Sequence, residues 1–198
     1  MNANHEKVCP TPEWAEWLQT KVLPPLVDAV DIGGEMIEIG PGPGAATAWL
    51  CGRVKRLVAV EVDQEAAAKL EARYAGTNVE ILVADATALE FEDESFDSAA
   101  CFTMLHHVPT VAMQNKVLSE ILRLLRPGGV LIASDSLASD GLHHFHEGDV
   151  YNPIEPASLI ARLQTIGFGK MTVSVDYNLT FTAHKPAPGD DSCGRDDS

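Results

Sequence analysis

The sequence predicts an α/β fold with a doubly wound, mostly parallel, Rossmann-like sheet that has helices on both faces. Two observations support this fold class. Short apolar runs, typical of buried strands, alternate with longer segments whose apolar residues recur at helical spacing. The first strand-like run, 36–39, is followed at once by the glycine-rich stretch 40–44 and then by helix-forming residues, an arrangement typical of nucleotide-binding turns.

The predicted elements alternate along most of the chain. Strands are predicted at 36–39, 57–60, 79–83, 96–102 and 130–133, and helices from residue 45 onward and at 64–74, 112–125 and 155–166. Residues 134–154 form a polar, histidine-rich connection. The last two apolar runs, 170–175 and 179–183, are joined too closely for a parallel crossover, so they predict an antiparallel hairpin.

The two ends of the chain differ from this alternating region. Residues 1–30 are predicted to form an N-terminal helical segment, in which Thr11 caps a helix that the Pro24-Pro25 pair breaks or restarts. Residues 1–12 are polar and are expected to fray. The main domain is expected over residues 31–184. The tail, 185–198, is rich in Asp, Pro and Gly and is expected to be disordered.

Composition limits the functional classes that fit. The chain has 198 residues, which suits one main domain, and its net charge of −15 disfavours a nucleic-acid substrate, because phosphate backbones bind clustered Lys and Arg. No apolar run approaches the length of a membrane span, and the first residues do not resemble a secretory signal. The four cysteines have no paired spacing. A cytoplasmic protein is therefore expected.

The turn after the first strand combines three glycines with an acid. Gly40, Gly42 and Gly44 give the pattern G-x-G-x-G, and Ala45 occupies the place of the third glycine in the dinucleotide-binding fingerprint. Glu38 precedes the first glycine by two positions, a feature that the dinucleotide fingerprint lacks. Glycine lets a ligand approach the backbone closely, so this turn is the predicted centre of the site.

Polar residues follow the other parallel strands, at the edge of the sheet where ligands bind in this fold class. Glu61 ends the second strand and is placed to accept hydrogen bonds from both hydroxyls of a ribose. Asp85 follows the third strand and is placed to accept from the amine of a purine, with the Ala86 N–H reaching a ring nitrogen. Glu38 is placed to face the ammonium group of an amino-acid ligand.

Five blocks of the sequence resemble, in order, the motifs of class I S-adenosylmethionine (AdoMet)-dependent methyltransferases of the small-molecule type, with a methyltransferase-11-like domain. The blocks are 38–44, 59–63, 84–86, 96–108 and 125–131. The resemblance implies a seven-stranded sheet in the order 3-2-1-4-5-7-6 with strand 7 antiparallel. It also implies AdoMet as the cofactor. The cofactor-binding residues that it implies are Glu38, Gly40, Pro41, Gly42, Gly44, Glu61, Val62, Asp85, Ala86, Phe102 and Thr103.

Methyl transfer to an acceptor, with a small molecule as the first expectation, is the predicted activity. A base is needed only where the acceptor holds its proton at neutral pH. The candidates for that base are His106, His107, His143, His144 and Tyr151. A protein acceptor, a non-catalytic AdoMet-binding protein and an NAD-dependent oxidoreductase stay open as alternatives. The sequence favours no oligomeric state and does not distinguish O-, N-, C- and S-methylation.

The connection 134–154 contains a group of His and Glu residues that raises the question of a metal. At helical spacing, His143 shares a face with His146 or with Glu147. No third ligand is evident near them in the sequence. We therefore expect no metal and assign this segment to a substrate-binding loop.

Overall fold

The computed structural model describes residues 2–189, without the side chains of Ala3 and Glu6. The strands are β1 (Glu35–Ile39), β2 (Arg56–Glu61), β3 (Val79–Val83), β4 (Phe96–Phe102), β5 (Leu125–Asp135), β6 (Met171–Val175) and β7 (Leu179–His184). They form one sheet in the order β3-β2-β1-β4-β5-β7-β6. β1 to β5 are parallel, and β7 runs antiparallel to both β5 and β6. The predicted fold class and strand order are confirmed.

Helices flank the sheet. They are α1 (Ala3–Val8), α2 (Pro12–Trp17), a π-helical turn (Leu18–Val22), α3 (Leu23–Val27), α4 (Thr47–Leu50), α5 (Gln64–Tyr74), a 3-10 turn (Leu105–His107), α6 (Val111–Leu124), α7 (Asp140–Phe145) and α8 (Pro156–Ile166). Within residues 2–189, no helix combines the length and the apolar character needed to cross a membrane. The cytoplasmic location stays a prediction.

Two apolar cores cover the two faces of the central strands. Successive residues of a strand point to opposite faces, so Met36 packs in one core while Ile37 and Ile39 pack in the other. Residues of α3 and α4 fill the first core, and residues of α6 and α8 fill the second. Every residue of β1 and β2 except the first of each strand is buried, because both faces of these strands are covered.

The N-terminal segment is more ordered than the sequence suggested. The expectation that residues 1–12 fray is wrong for the described residues: Asn2 caps α1, and His5 within it is buried. Thr11 Oγ1 accepts a hydrogen bond from Trp14 N at 3.3 Å, which confirms the predicted cap of α2. The Pro24-Pro25 pair lies in the first turn of α3, where proline N atoms need not donate, so the chain stays helical.

The largest differences from the prediction lie in three segments. β5 begins at Leu125 rather than at residue 130, because 125–129 continue the strand beside the start of β4, with a register shift between Phe96 and Ser98. The helix after the glycine-rich turn begins at Thr47, since residues 42–46 are turns. The connection 134–154 contains α7. Of the predicted tail, 190–198 lies outside the described residues.

Candidate functional site

A cavity of about 1090 Å³ opens at the carboxyl ends of the parallel strands. Its walls include the turn after β1, the ends of β2 and β4, and the residues after β3. α1 and the segment around α7 contribute to the opposite end. Every predicted cofactor-binding residue lines this cavity except Gly44, which lies behind it: Glu38, Gly40, Pro41, Gly42, Glu61, Val62, Asp85, Ala86, Phe102 and Thr103.

Two glycines of the turn are required for different physical reasons. Both have positive φ, +68° at Gly40 and +53° at Gly42, a region that side chains with a Cβ disfavour. A Cβ on Gly40 would lie 2.2 Å from Met104 Cγ, so this glycine is needed for packing. A Cβ on Gly42 would meet nothing within 4 Å, and Gly42 lines the cavity. Gly42 therefore keeps the cavity wall open to a ligand.

Glu61 fixes the shape of the turn from the end of β2. Its side chain is buried, and Oε2 accepts a hydrogen bond of 3.2 Å from Gly42 N. The other oxygen, Oε1, accepts from Asp63 N at 3.0 Å. Each carboxylate oxygen can accept a further hydrogen bond, so the group is oriented for a diol while it holds the glycine turn in place.

The residues at the ends of β2, β3 and β4 differ in their exposure to solvent. Asp85 is exposed at the cavity wall, and a hydrogen bond of 2.8 Å from Thr87 N to its Oδ1 lowers the pKa of the Asp85 carboxyl. Val62 is 72% exposed, whereas Phe102 is buried. Thr103 has a φ of +50°, and its N–H donates to Ser134 O at 2.8 Å. A threonine held in the left-handed region marks strain of the kind found at functional sites.

Glu38 is buried beneath the turn, with 2% of its surface exposed. Its Oε2 accepts a hydrogen bond of 2.7 Å from Thr47 Oγ1. Burial raises the pKa of the Glu38 carboxyl to about 7, the hydrogen bond from Thr47 opposes this rise, and the charge of Glu61 adds to it. The group therefore changes its charge near neutral pH.

The other end of the cavity is lined by imidazoles. His106 is buried, and its Nδ1 lies 2.5 Å from Asp135 Oδ1. Its ring packs against His107 with the centroids 4.1 Å apart. His5 from α1 and His146 from the end of α7 complete this group, which we call the histidine cluster (His5, His106, His107 and His146). Of the five predicted base candidates, only His106 and His107 belong to it.

The remaining base candidates lie outside the cavity wall. His143 and His144 are exposed on α7, and His144 Nδ1 lies 3.2 Å from Glu147 Oε1. Tyr151 stacks on His146 with the ring centroids 4.3 Å apart, so it supports the cluster from behind. The sequence suggested that helical spacing pairs His143 with His146. In the structure, the histidines that meet His146 come from other segments of the chain.

The central part of this chain is similar to a known protein family. Residues 37–133, from within β1 to near the end of β5, match a family described as "Methyltransferase domain". A probable S-adenosylmethionine-dependent methyltransferase from Mycolicibacterium smegmatis is 29% identical over 143 residues, which are 69% of this chain and 52% of that protein. Residues 37–133 are therefore identified as a methyltransferase domain, similar to those of AdoMet-dependent methyltransferases.

Two further comparisons show how far the likeness extends. Ribosomal RNA small subunit methyltransferase A of Koribacter versatilis is 49% identical over 71 residues, which are 35% of this chain and 24% of that enzyme. The PH0226 protein from Pyrococcus horikoshii has the same fold, with a TM-score of 0.74 and 19% identity over 88% of this chain and 92% of its own. The chain spans about half or less of the length of the two curated relatives named here. Because one of them methylates RNA by name, the exclusion of nucleic acid is not supported.

The sequence-based interpretation missed three residues at or behind the histidine-lined end of the cavity. His5 was placed in a fraying segment, and Asp135 lay beyond the predicted end of the fifth strand. His146 was noticed, but with neighbours from its own segment. The position of Asp135 at the end of a parallel strand was a usable signal, since such ends carry the ligand-binding residues in this fold.

Burial favours the uncharged form of two rings of the histidine cluster, His5 and His107. It lowers the pKa of His107 to about 3, with the charge of His106 adding to the effect. It also lowers the pKa of His5 to about 4, and His146 adds to this decrease. These imidazoles are neutral at pH 7, so each offers a lone pair rather than a charge.

A Glu38→Gln substitution should reduce the pH dependence of the stability of the ligand-free protein. Because the folded-state pKa is raised, the stabilisation by the protonated carboxyl is complete below about pH 4.5 and is lost as pH rises through about 7. A shift of this size corresponds to about 3 kcal/mol in the free energy of unfolding. Urea unfolding of both proteins at pH 4.5 to 8.5 measures it.

The exposed Glu71→Gln is the matched control for this measurement and should follow the wild type. The amide oxygen introduced by Glu38→Gln can still accept the hydrogen bond of Thr47, so the comparison isolates the charge. Parallel stability curves for wild type and Glu38→Gln would show that Glu38 does not titrate in this range.

Proposed function

We propose that this protein transfers the methyl group of AdoMet to a small-molecule acceptor. One observation carries the proposal: the nucleotide-type crevice at the strand ends and the histidine-lined end are parts of one cavity of about 1090 Å³. Small-molecule sites have volumes of roughly 300–1,000 Å³. The cavity is therefore large enough for a cofactor and an acceptor at the same time, as a direct transfer requires.

The cofactor would occupy the end formed by the turn and the ends of β2 and β3. Glu61 would accept hydrogen bonds from the ribose hydroxyls through the free positions on its two oxygens. Asp85 and the Ala86 N–H would contact the adenine. Glu38 would ionise when the ammonium group of AdoMet arrives, because a nearby positive charge favours the carboxylate.

The acceptor would occupy the end that α1 covers. Asn2 Nδ2 and Asn4 Nδ2 each donate a hydrogen bond of 2.8 Å to Phe145 O, and these bonds fasten α1 to α7 across the cavity. Trp14 and Met113 add apolar surface to the wall. A covered, partly apolar chamber suits a small molecule better than a polymer. The net charge of −15 also disfavours an RNA strand.

The protein has little covalent chemistry to supply, because the methyl group of a sulfonium is already activated. Its main contribution would be to align the acceptor atom, the methyl carbon and the sulfur. Where the acceptor carries a proton, His106 and His107 are the candidate bases that reach the cavity. Both rings are held by neighbours rather than free to rotate in solvent.

The proposal is tested with methyl-tritiated AdoMet in a cell extract from which metabolites, RNA and proteins are then separated. We expect protein-dependent label in the metabolite fraction. Label in the RNA or protein fraction would overturn the small-molecule assignment but keep methyl transfer. Tight AdoMet binding without label in any fraction would favour the non-catalytic alternative.

Glu61→Ala should weaken AdoMet binding by roughly 1–3 kcal/mol, the scale for leaving hydrogen-bonding groups without a partner. The substitution removes the acceptor for the ribose and also the one for Gly42 N. Isothermal titration calorimetry measures the change in dissociation constant. The exposed Glu71→Ala on α5 is the control and should bind AdoMet like the wild type. An unchanged dissociation constant for Glu61→Ala would show that the ribose is bound elsewhere.

A further inference from the structure

The histidine cluster draws four imidazoles from three distant parts of the chain. One ring nitrogen from each of His5, His106, His107 and His146 lies within 4.8 Å of the corresponding nitrogen of every other. Three of the rings are at most 4% exposed, and His107 is partly exposed. Packing alone does not explain this arrangement. A neutral imidazole that packs as an apolar residue gains nothing from pointing its ring nitrogen at the nitrogens of three other imidazoles.

Hydrogen bonds fix the tautomers of the two closest rings. His5 Nδ1 lies 2.8 Å from Asn2 Oδ1. The orientation of the Asn2 amide is fixed because its nitrogen donates to Phe145 O, so the atom that faces His5 is the oxygen. His146 Nδ1 lies 2.6 Å from Leu142 O. A carbonyl oxygen only accepts, so both Nδ1 atoms carry the hydrogen. In the neutral rings, both Nε2 atoms are then acceptors.

The same argument applies to His106. Asp135 accepts hydrogen bonds from two backbone N–H groups, those of His106 at 3.1 Å and Ser136 at 2.7 Å. Its Oδ1 also lies 2.5 Å from His106 Nδ1, which therefore donates. Only the Nε2 of His106 remains as a lone pair. Metal-binding histidines are oriented in this way, with the second ring N–H given to a carboxylate or a carbonyl.

Two lone pairs face each other at the centre of the cluster. His5 Nε2 lies 3.1 Å from His146 Nε2, and neither nitrogen has a hydrogen to donate to the other. Such a contact is repulsive unless the two lone pairs share a cation, either a proton or a metal ion. In a tetrahedral zinc site with Zn–N bonds of about 2.0–2.1 Å, neighbouring nitrogens are roughly 3.3 Å apart. The contact has the length of one edge of such a site.

We propose that His5, His106, His107 and His146 bind one divalent transition-metal ion of the Zn²⁺ class at the acceptor end of the cavity. Imidazole nitrogen suits Zn²⁺, Co²⁺, Ni²⁺ and Cu²⁺ and does not suit Mg²⁺ or Ca²⁺, which take oxygen ligands. The proposal replaces the sequence-based expectation of no metal. That expectation considered only residues from the α7 segment, whereas the ligands come from three segments.

The three anchored rings and His107 differ in what holds them. Among the residues that the structure describes, the His107 ring has packing contacts with His5, His106 and His146, whereas the other three rings each have a hydrogen-bonded Nδ1. Three fixed histidines with one exchangeable position is the arrangement of a catalytic zinc site. We assign His107 to the position that an incoming ligand replaces.

The ion would select acceptors that can bind a metal. This selectivity rests on the proposed function, whereas the metal binding does not. An acceptor with a thiol or hydroxyl group would bind the ion through sulfur or oxygen and release its proton to solvent. The lone pair of that atom would then form a bond to the methyl carbon while the bond between that carbon and the sulfonium sulfur breaks. The products are the methylated acceptor and neutral S-adenosylhomocysteine.

Metal binding is tested on the full chain without a polyhistidine tag, stripped with a chelator and without AdoMet. We expect one equivalent of Co²⁺ to give the strong visible absorption bands of a tetrahedral site, and Zn²⁺ to displace it with a dissociation constant of about 1 µM or tighter. His5→Ala and His146→Ala should each lower the zinc affinity at least about 100-fold, since changes to groups that merely orient ligands cost 10–100-fold.

His143→Ala and His144→Ala are the matched controls, because both residues lie on α7 but outside the cluster. They should bind zinc like the wild type. His5 lies in the short N-terminal helix, so its variant keeps the sheet even if His146→Ala unfolds, as circular dichroism would show. A wild type without stoichiometric binding overturns the proposal, as does an equal loss in the controls. Calorimetry with AdoMet on the same sample reports separately on the proposed function.

Discussion

Gly42→Asn should abolish AdoMet binding while the protein stays folded. Gly42 has a φ of +53°, and asparagine tolerates this left-handed region better than other residues with a side chain. A Cβ at this position meets nothing within 4 Å, so the fold has room for the new side chain. The room that it takes is the cavity itself, beside Glu61. Calorimetry at millimolar AdoMet should detect no heat of binding, and the melting temperature should stay close to that of the wild type.

Gly76→Asn is the matched control for this substitution. Gly76 also has a positive φ, +77°, and open space around its Cβ position, but it is exposed and does not line the cavity. Gly40→Asn provides the opposite comparison, because its side chain would collide with Met104 and should lower stability as well as binding. Normal AdoMet affinity in a folded Gly42→Asn protein would show that the cofactor does not approach the turn, and the proposed placement would be wrong.

The cofactor end of the cavity could be predicted from sequence because the parallel topology of the strands determines where its residues lie. Once alternating strands and helices are recognised, the carboxyl ends of adjacent strands must meet at one edge of the sheet. Glu38, Glu61 and Asp85 were placed together for this reason alone. Their separation along the chain did not matter, since the strand order brought them into one wall. The glycine turn was local, and its pattern could be read directly.

The acceptor end could not be predicted in the same way, because it depends on the docking of a short helix. The contact between His5 and His146 joins residues 141 positions apart, and α1 has only six residues. A helix of this length is not stable by its own hydrogen bonds. Its position is set by the contacts of Asn2 and Asn4 with the α7 segment, and the polar side chains that make them resemble those of a frayed terminus.

The extension of β5 shows a similar limit. The sequence suggested that the strand ends at Ala133, where the apolar run stops. The strand continues to Asp135, because Ser134 and Asp135 still pair with β7. A buried carboxylate at a strand end is invisible to an apolar pattern. Asp135 is nevertheless the residue that holds His106. The apolar pattern therefore ends two residues before the side chain that orients this histidine.

Asp135→Ala should lower the free energy of unfolding by about 3 kcal/mol or more, because each buried hydrogen-bond donor left without a partner costs about 1–3 kcal/mol. The Asp135 side chain is 1% exposed and accepts from His106 N, His106 Nδ1 and Ser136 N. Alanine leaves all three donors without a partner. Asp135→Asn should recover part of the loss, because the amide oxygen can accept from some of these donors while the amide nitrogen cannot accept at all. Urea unfolding measures both variants.

Two further measurements separate the role of Asp135 in orienting His106 from its role in stability. In the wild type, nitrogen NMR should show the His106 ring with its hydrogen on Nδ1, and in Asp135→Ala this preference should weaken, since the acceptor that fixes it is gone. The exposed Asp176→Ala is the control and should change neither the tautomer nor the unfolding curve by more than about 0.5 kcal/mol. If Asp135→Ala lost less than about 1 kcal/mol and kept the tautomer, the Asp135–His106 pair would not be what orients the ring toward the other three histidines.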